Sequence, residues 1–301
     1  MPLRLSAPLL ALALLAGCAT SPRQPAAVAS GAAVTPAVPA ATTTIAANDN
    51  LNAVAWSQTA IEHDLIYLQT YRDAQARLLA ALHDRHWDAL GKGDRTTPLK
   101  GLKPAVILDI DETVLDNSPF AARMVQGGHE YNEADWAAWC REESARALPG
   151  AVEFTRFAAK HGVEVIYISN RAKDLDQATL ANLRKAGFPV SGPQSFLGLG
   201  TVVEGCEQAG SEKGCRRQLV ARHYRVLMQF GDQIGDFVDV LANTADGRRR
   251  AVSDYLPWIG TRWFVLPNPT YGSWEPALFN NDWSTSPGQR RRQKIDMLRT
   301  R

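Results

Sequence analysis

Apolar runs along the chain stop at acidic or polar clusters, and their order predicts both architecture and chemistry. Val106-Ile107-Leu108 leads into Asp109-Ile110-Asp111-Glu112-Thr113, and Val163 to Ile168 leads into Ser169-Asn170-Arg171. Val226 to Phe230 leads into Gly231-Asp232-Gln233-Ile234-Gly235-Asp236-Phe237, and Trp263 to Leu266 runs into Pro267-Asn268-Pro269. Short apolar runs bounded by turn formers read as buried strands. Helical patterns lie between them. Ala151 to Lys160 stops at Gly162, a suitable left-handed C-terminal residue. Asp174 and Gln177 read as a capping box for a helix ending near Gly187. Glu212 to His223 and a Trp-rich stretch from about Asn132 to Arg146 also read as helical. Upstream, Ile61, Leu65, Leu68, Tyr71, Leu78 and Leu82 recur at helical steps. They predict one long or two shorter amphipathic helices up to about Leu90, packed on the domain, followed by a loop from Gly91 to Pro104. Strands alternating with helices imply an α/β fold with a doubly wound parallel sheet, whose carboxyl edge is where ligands bind.

Composition narrows this picture only at the ends. The 301 residues are 45% hydrophobic and 21% charged, ordinary for a globular chain, and a net charge of +2 does not call for a nucleic-acid polymer as partner. Arg290-Arg291-Arg292 reads as part of a solvated basic tail over 286–301. Residues 1–18 combine Arg4, an apolar stretch from Pro8 to Leu15 and Leu15-Ala16-Gly17-Cys18, which resembles a bacterial lipoprotein signal with Cys18 as the acylated residue. Ala19 after Cys18 favours anchoring at the outer membrane. Residues 19–50 are rich in Ala, Pro and Thr and read as a flexible tether. The expected domain is 51–285, helical over 51–95 and 113–150. An exported chain permits a Cys206–Cys215 disulfide, which the sequence leaves open; closing about ten residues is worth ~2.7 kcal/mol in the chain-entropy model, less any strain. Cys140 would then be a free, buried thiol, and zinc spacing is absent.

The strand-end residues supply a phosphoryl-transfer set. Asp109 can attack phosphorus and become an aspartyl phosphate. Asp111, two residues on, can protonate the leaving oxygen and later take a proton from water. A carboxylate approaches a phosphate dianion only if charge is neutralised, and the oxygen ligands of Asp232 and Asp236 favour Mg²⁺. Ser169 and Lys213 can donate to the non-bridging oxygens.

The order Asp, Ser, Lys, Asp resembles the haloacid dehalogenase (HAD) superfamily. The run Ile107 to Ser118, with Ser169-Asn170-Arg171, Gly231 to Phe237 and Pro267 to Glu275, is similar to the bacterial class C, non-specific acid phosphatases over about Leu51 to Phe279. The resemblance implies a HAD-like sheet with a smaller helical cap, Mg²⁺ as cofactor, and an outer-membrane lipoprotein that dephosphorylates nucleotides and other monoesters. It implies Asp109 as nucleophile and Asp111 as acid/base, with Ser169, Asn170 and Lys213 on the phosphate. The metal would take the Asp109 carboxylate, the Asp111 main-chain carbonyl and Asp232, with Asp236 orienting bound water. Gln233 stands where asparagine is expected. Trp136 and Tyr271 match an aromatic pair that sandwiches a nucleotide base, whereas Trp139 and Trp274 read first as packing residues. A phosphotransferase using the same intermediate, a non-catalytic surface lipoprotein on a HAD fold and a homodimer stay open.

Overall fold

The structure, a computed structural model, describes residues 47–301. The signal segment, Cys18 and nearly all of the tether lie outside the described residues. Two helices open the described chain, α1 (Leu51–Thr59) and α2 (Ile61–His83). The pattern predicted helix as far as Leu90, but α2 ends earlier. Residues beyond it run along the sheet instead, with Ala89 N–H donating to Val226 O and the Trp87 indole to Leu227 O.

β1 (Lys103–Leu108) is buried on both faces over its second half. After it come β2 (Leu115–Asp116), α3 (Ser118–Gly127), α4 (Glu133–Glu142) and β3 (Arg146–Ala147). β2 and β3 pair antiparallel, so a two-stranded ribbon closes the base of an insertion expected to be wholly helical. The chain continues through α5 (Ala151–Lys160), β4 (Glu164–Ala172), α6 (Asp176–Ala186), β5 (Phe196–Leu199), α7 (Gly214–His223) and β6 (Tyr224–Gly231). It ends with α8 (Ala245–Val252), β7 (Trp263–Val265) and α9 (Pro287–Asp296).

The sheet runs β5-β4-β1-β6-β7, all parallel. Side chains alternate across it: Val106 and Leu108 join a core with Tyr71, Phe154 and Leu183, while Ala105 and Ile107 join another with Val220 and Trp263. Both faces are therefore covered, as a doubly wound sheet requires. From β1 the chain builds outward through β4 and β5, then returns to build β6 and β7 on the other side. β1 and β6 thus flank the point where the order reverses.

Three local expectations change. β4 runs past Ile168 through Ser169-Asn170-Arg171, because Ala172 still pairs with Leu199 of β5. β5 itself escapes the apolar pattern, being short and interrupted by Gly198. A Cβ at Gly198 would lie 2.9 Å from Arg171 O, so the close approach of the two strands depends on glycine there. Asp174 forms no capping box; a 3-10 turn over Lys173–Leu175 precedes α6, and the Asp174 carboxylate accepts from Arg141 of α4 at 3.0 Å.

The basic tail is corrected in part: Arg291 and Arg292 are exposed, but Arg290 is not. Its arginines lie in α9, capped by a reciprocal Ser286–Gln289 box, and Arg290 is buried with its guanidinium over Trp283 at 5.3 Å while pairing with Glu130. The rings supply a face for the cation and Glu130 supplies its counter-charge, so both offset the cost of removing the guanidinium from water. Cys206 and Cys215 are joined, with Cα atoms 5.6 Å apart, and Cys140 is free and buried. No helix among the described residues is long and apolar enough to cross a membrane.

Candidate active site

Asp109 is the first residue beyond β1, and its N–H donates to Phe230 O of β6 at 3.0 Å, which fixes it at the carboxyl edge. Lys213, at the N-cap of α7, reaches the same place. Its ammonium bonds to the Asp109 carboxylate, to Asp236 Oδ1 at 2.7 Å and to Ile168 O at 2.7 Å. Burial alone would lower this ammonium, but Asp109 and Asp236 overcome it and hold its pKa raised. The disulfide closes the loop just before α7, two residues past Lys213, and so restrains the segment that delivers the ammonium.

Asp232 and Asp236 follow β6 through a 3-10 turn over Ile234–Asp236. Gly231 is required less for turning than for space, since a Cβ there would meet the Asp236 carboxyl at 2.2 Å. Oxygens of Asp109, Asp232 and Asp236 lie within 4.8 Å of one another. Three carboxylates against one ammonium leave two negative charges uncompensated. Burial, with the charge of Asp236 added, pushes Asp232 up to about 7; burial likewise pushes Asp109 well up, against the pull of Lys213 and with the push of its acidic neighbours. The set lacks positive charge and offers hard oxygens, which fits a divalent cation such as Mg²⁺. Both Asp236 oxygens are engaged, one by Lys213 and the other by Gln233 N–H at 2.9 Å, so it serves better as a support than as a ligand. Asp232 Oδ2 accepts from Asn268 at 2.8 Å and from the Gln233 amide at 2.9 Å. The Gln233 amide also reaches Tyr271 O at 3.2 Å, so the longer side chain ties Asp232 to the Tyr271 loop.

Asp111 lies across the edge from Lys213. Its carboxylate accepts from Arg171, from Asn117 Nδ2 at 2.8 Å and from the Ser169 hydroxyl at 3.1 Å. Ser169 is thus brought to the site, but fully buried and with its hydroxyl donated to Asp111. Asn170 is exposed, and its amide oxygen accepts from Arg216 at 2.7 Å; what it can offer an anion is its NH₂.

Trp136 and Tyr271 stand at the mouth. Trp136 packs against Phe120, ring centroids 5.1 Å apart, and its ring faces the Arg171 guanidinium. Tyr271 is partly exposed, with its hydroxyl on the Glu112 carboxylate. Trp139 is buried and donates to Asn117 Oδ1 at 2.7 Å, while Trp274 donates to Tyr271 O at 3.1 Å.

Several supporting residues take roles that the sequence does not signal. Glu112 has a positive φ of 53°, unusual for its type, and its turn is held by two buried tyrosines of α2. Tyr71 donates to Thr113 O at 2.7 Å, and Tyr67 to the Glu112 and Pro267 carbonyls. Tyr71 belongs to the periodic stripe, where its ring accounts for its position and conceals its hydroxyl. Arg216 is fully buried and donates to Ser169 O at 2.6 Å, bracing the end of β4.

Comparison with known proteins agrees with this geometry. A family model described as HAD superfamily, subfamily IIIB (Acid phosphatase) matches residues 28–274. The structure resembles that of the class C acid phosphatase from Bacillus anthracis with tungstate bound. That match has a TM-score of 0.72 at 34% identity and covers 84% of this chain and 97% of that one. The stem 31 kDa glycoprotein of Glycine max is 31% identical over 166 residues, 55% of this chain and 58% of its own length. Acid phosphatase 1 of Solanum lycopersicum is 24% identical over 165 residues, 55% of this chain and 57% of its own. The chain thus spans little more than half the length of these plant relatives. A parallel sheet carrying the acids at its switch point, a family match over most of the sequence and a structural match over most of the fold converge: this chain belongs to the acid phosphatases of HAD subfamily IIIB.

Proposed function

We propose that the chain is a Mg²⁺-dependent acid phosphatase that hydrolyses phosphomonoesters, nucleoside 5′-monophosphates among them, through an aspartyl phosphate. The observation that carries this reading is the buried surplus of carboxylate at the carboxyl ends of β1 and β6, with one lysine among the acids. Tungstate, bound in the Bacillus anthracis structure, is a tetrahedral oxyanion of phosphate's shape, which supports an oxyanion as ligand of this chain too.

Asp109 attacks phosphorus while the ester oxygen leaves with a proton from Asp111, so the P–O ester bond breaks as the Asp109–P bond forms. Lys213 donates to the non-bridging oxygens, where charge accumulates. Asp111, now a carboxylate, takes a proton from water as that water attacks the phosphoenzyme and regenerates Asp109. Asp109, Asp232 and the Asp111 main-chain carbonyl would hold Mg²⁺, with Asp236 in support; when bound, the ion neutralises the phosphate dianion. Trp136 and Tyr271 flank the leaving group, and stacking on a base is worth about 1–3 kcal/mol in other base-binding proteins. An acceptor alcohol in place of water would turn the same intermediate toward phosphotransfer.

Asp109→Asn tests the reading. Release of phosphate from a nucleoside monophosphate falls to background while the melting transition persists; unchanged turnover would reject Asp109 as nucleophile. A storage role has one supporting observation, the similarity to vegetative storage protein 1 of Arabidopsis thaliana, 29% identical over 168 residues. Folded protein with no Mg²⁺-dependent turnover on any monoester would favour it. The lipid anchor on Cys18, with outer-membrane placement, rests on the lipobox and is tested by palmitate labelling of the wild type and a Cys18→Ala variant.

A further inference from the structure

Arg171 ends a motif whose serine and asparagine are read as phosphate donors, and by residue type it would be taken for a third. Its surroundings point to another role. The side chain is 1% exposed, and its donors are spent within the protein. Nη2 donates to Asp111 Oδ1 at 2.7 Å and to Asn117 Oδ1 at 3.4 Å. Nε is shared between the two Asp111 oxygens at 3.0 and 3.3 Å, and Nη1 lies 3.5 Å from the Thr179 hydroxyl of α6. A planar guanidinium against a planar carboxylate fixes both distance and rotation, which an ammonium cannot do.

The strand places it there. Ser169 and Arg171 are two apart on β4 and share one side of the strand, so both side chains meet the Asp111 carboxylate. Arg171 N–H also donates back to the Ser169 hydroxyl at 3.1 Å. Asn117 Nδ2 donates to the same Asp111 oxygen that Arg171 Nη2 grips, Oδ1, and its own oxygen accepts from Trp139 of α4. The guanidinium also lies 5.5 Å from the centre of the Trp136 ring, so it backs the aromatic wall of the pocket.

The geometry points to Arg171 as the positioning residue of the proton donor: it holds the Asp111 carboxyl in the one orientation from which the leaving oxygen can be protonated, without touching substrate itself. This rests on the reading of Asp111 as acid/base. Esters with a poor leaving group need that proton, whereas p-nitrophenolate leaves without it. A misaligned donor must therefore hurt the first class selectively.

The experiment measures kcat and KM of wild type, Arg171→Lys, Arg171→Gln, Asp111→Asn and the Arg171→Lys/Asp111→Asn pair with Mg²⁺. The substrates are a nucleoside 5′-monophosphate, ethyl phosphate and p-nitrophenyl phosphate, and each variant's melting curve confirms folding. Arg171→Lys keeps the charge and guards against the chance that Arg171→Gln does not fold. For Arg171→Lys the expected result is a kcat loss of about 100-fold on the alkyl and nucleoside esters, about fivefold or less on p-nitrophenyl phosphate, and little change in KM. The double variant should be no worse on ethyl phosphate than Asp111→Asn alone. Equal losses on both classes in Arg171→Lys, with Asp111→Asn still selective, would overturn the positioning role alone. If Asp111→Asn is itself unselective, the acid assignment falls and the positioning role with it.

Discussion

Two cations one helical turn apart at the start of α7 each sit between two aspartates, yet only one of the clusters has the makings of a catalytic centre. Lys213 lies between Asp109 and Asp236. Arg217 lies between Asp94 and Asp239, at 2.6 and 2.7 Å, and donates also to Gly235 O at 3.0 Å. Both cations are buried, so burial of an ion pair is not what separates them. The difference is balance and place. Arg217 matches its partners with a full set of donors, and Arg216 stands beside it, lowered to about 10 by burial and by the charge of Arg217. The cluster ties the loop around Asp94 to α7. Around Lys213 a third carboxylate, Asp232, leaves the site short of positive charge, and the acids lie just past the carboxyl ends of β1 and β6. A satisfied cluster stabilises; an unsatisfied one at a sheet edge binds.

Exchanging one acid for an amide in each cluster should therefore separate activity from stability. Asp109→Asn removes charge from the surplus: turnover falls by orders of magnitude, and the denaturation midpoint is unchanged or higher. Asp94→Asn leaves a buried guanidinium short of a partner and should cost about 3–5 kcal/mol in urea unfolding, while the folded fraction keeps its kcat. If Asp94→Asn abolished turnover without loss of stability, the comparison would be wrong. Mg²⁺ sharpens the contrast. At 100 times its Kd it should stabilise the wild type by about 2.7 kcal/mol, and a chelator should remove both that shift and the activity. The gain should vanish in Asp232→Asn and survive in Asp239→Asn. Reducing Cys206–Cys215 should cost up to ~2.7 kcal/mol and lower kcat more than it raises KM, because the bridge restrains the Lys213 segment. The smallest effect is expected at Cys140, whose thiol burial pushes up to about 12. Maleimide should leave it unlabelled in the folded protein at pH 8 and label it after denaturation, which mass spectrometry would show.

How much of this was legible follows from where each signal resides. Asp109, Asp111 and Asp232 could be placed together because residues just past the ends of parallel strands share one edge, whatever the loops do between them. Asp236 followed from its spacing to Asp232, and Lys213 from its order in the chain. The role of Arg171 was not legible, since its type fits a phosphate clamp and only its burial against Asp111 reassigns it. Nor was the role of Ser169, whose hydroxyl is donated to the same carboxylate. Arg291 and Arg292 are exposed as the run reads, but Arg290 is covered by Phe279 and Trp283, to which local composition is blind.

Short apolar runs closed by acidic clusters, with helical patterns between them, thus determined by themselves that strands would be buried, parallel and tipped with acids, because backbone hydrogen bonding and burial are satisfied in only a few ways by such a pattern. Tertiary structure alone decided which cation meets which carboxylate, how Asp111 is turned and which aromatic lines the mouth. Those choices depend on contacts between residues as far apart as Lys213 and Asp109, 104 positions in sequence, and no local pattern encodes the distance between them.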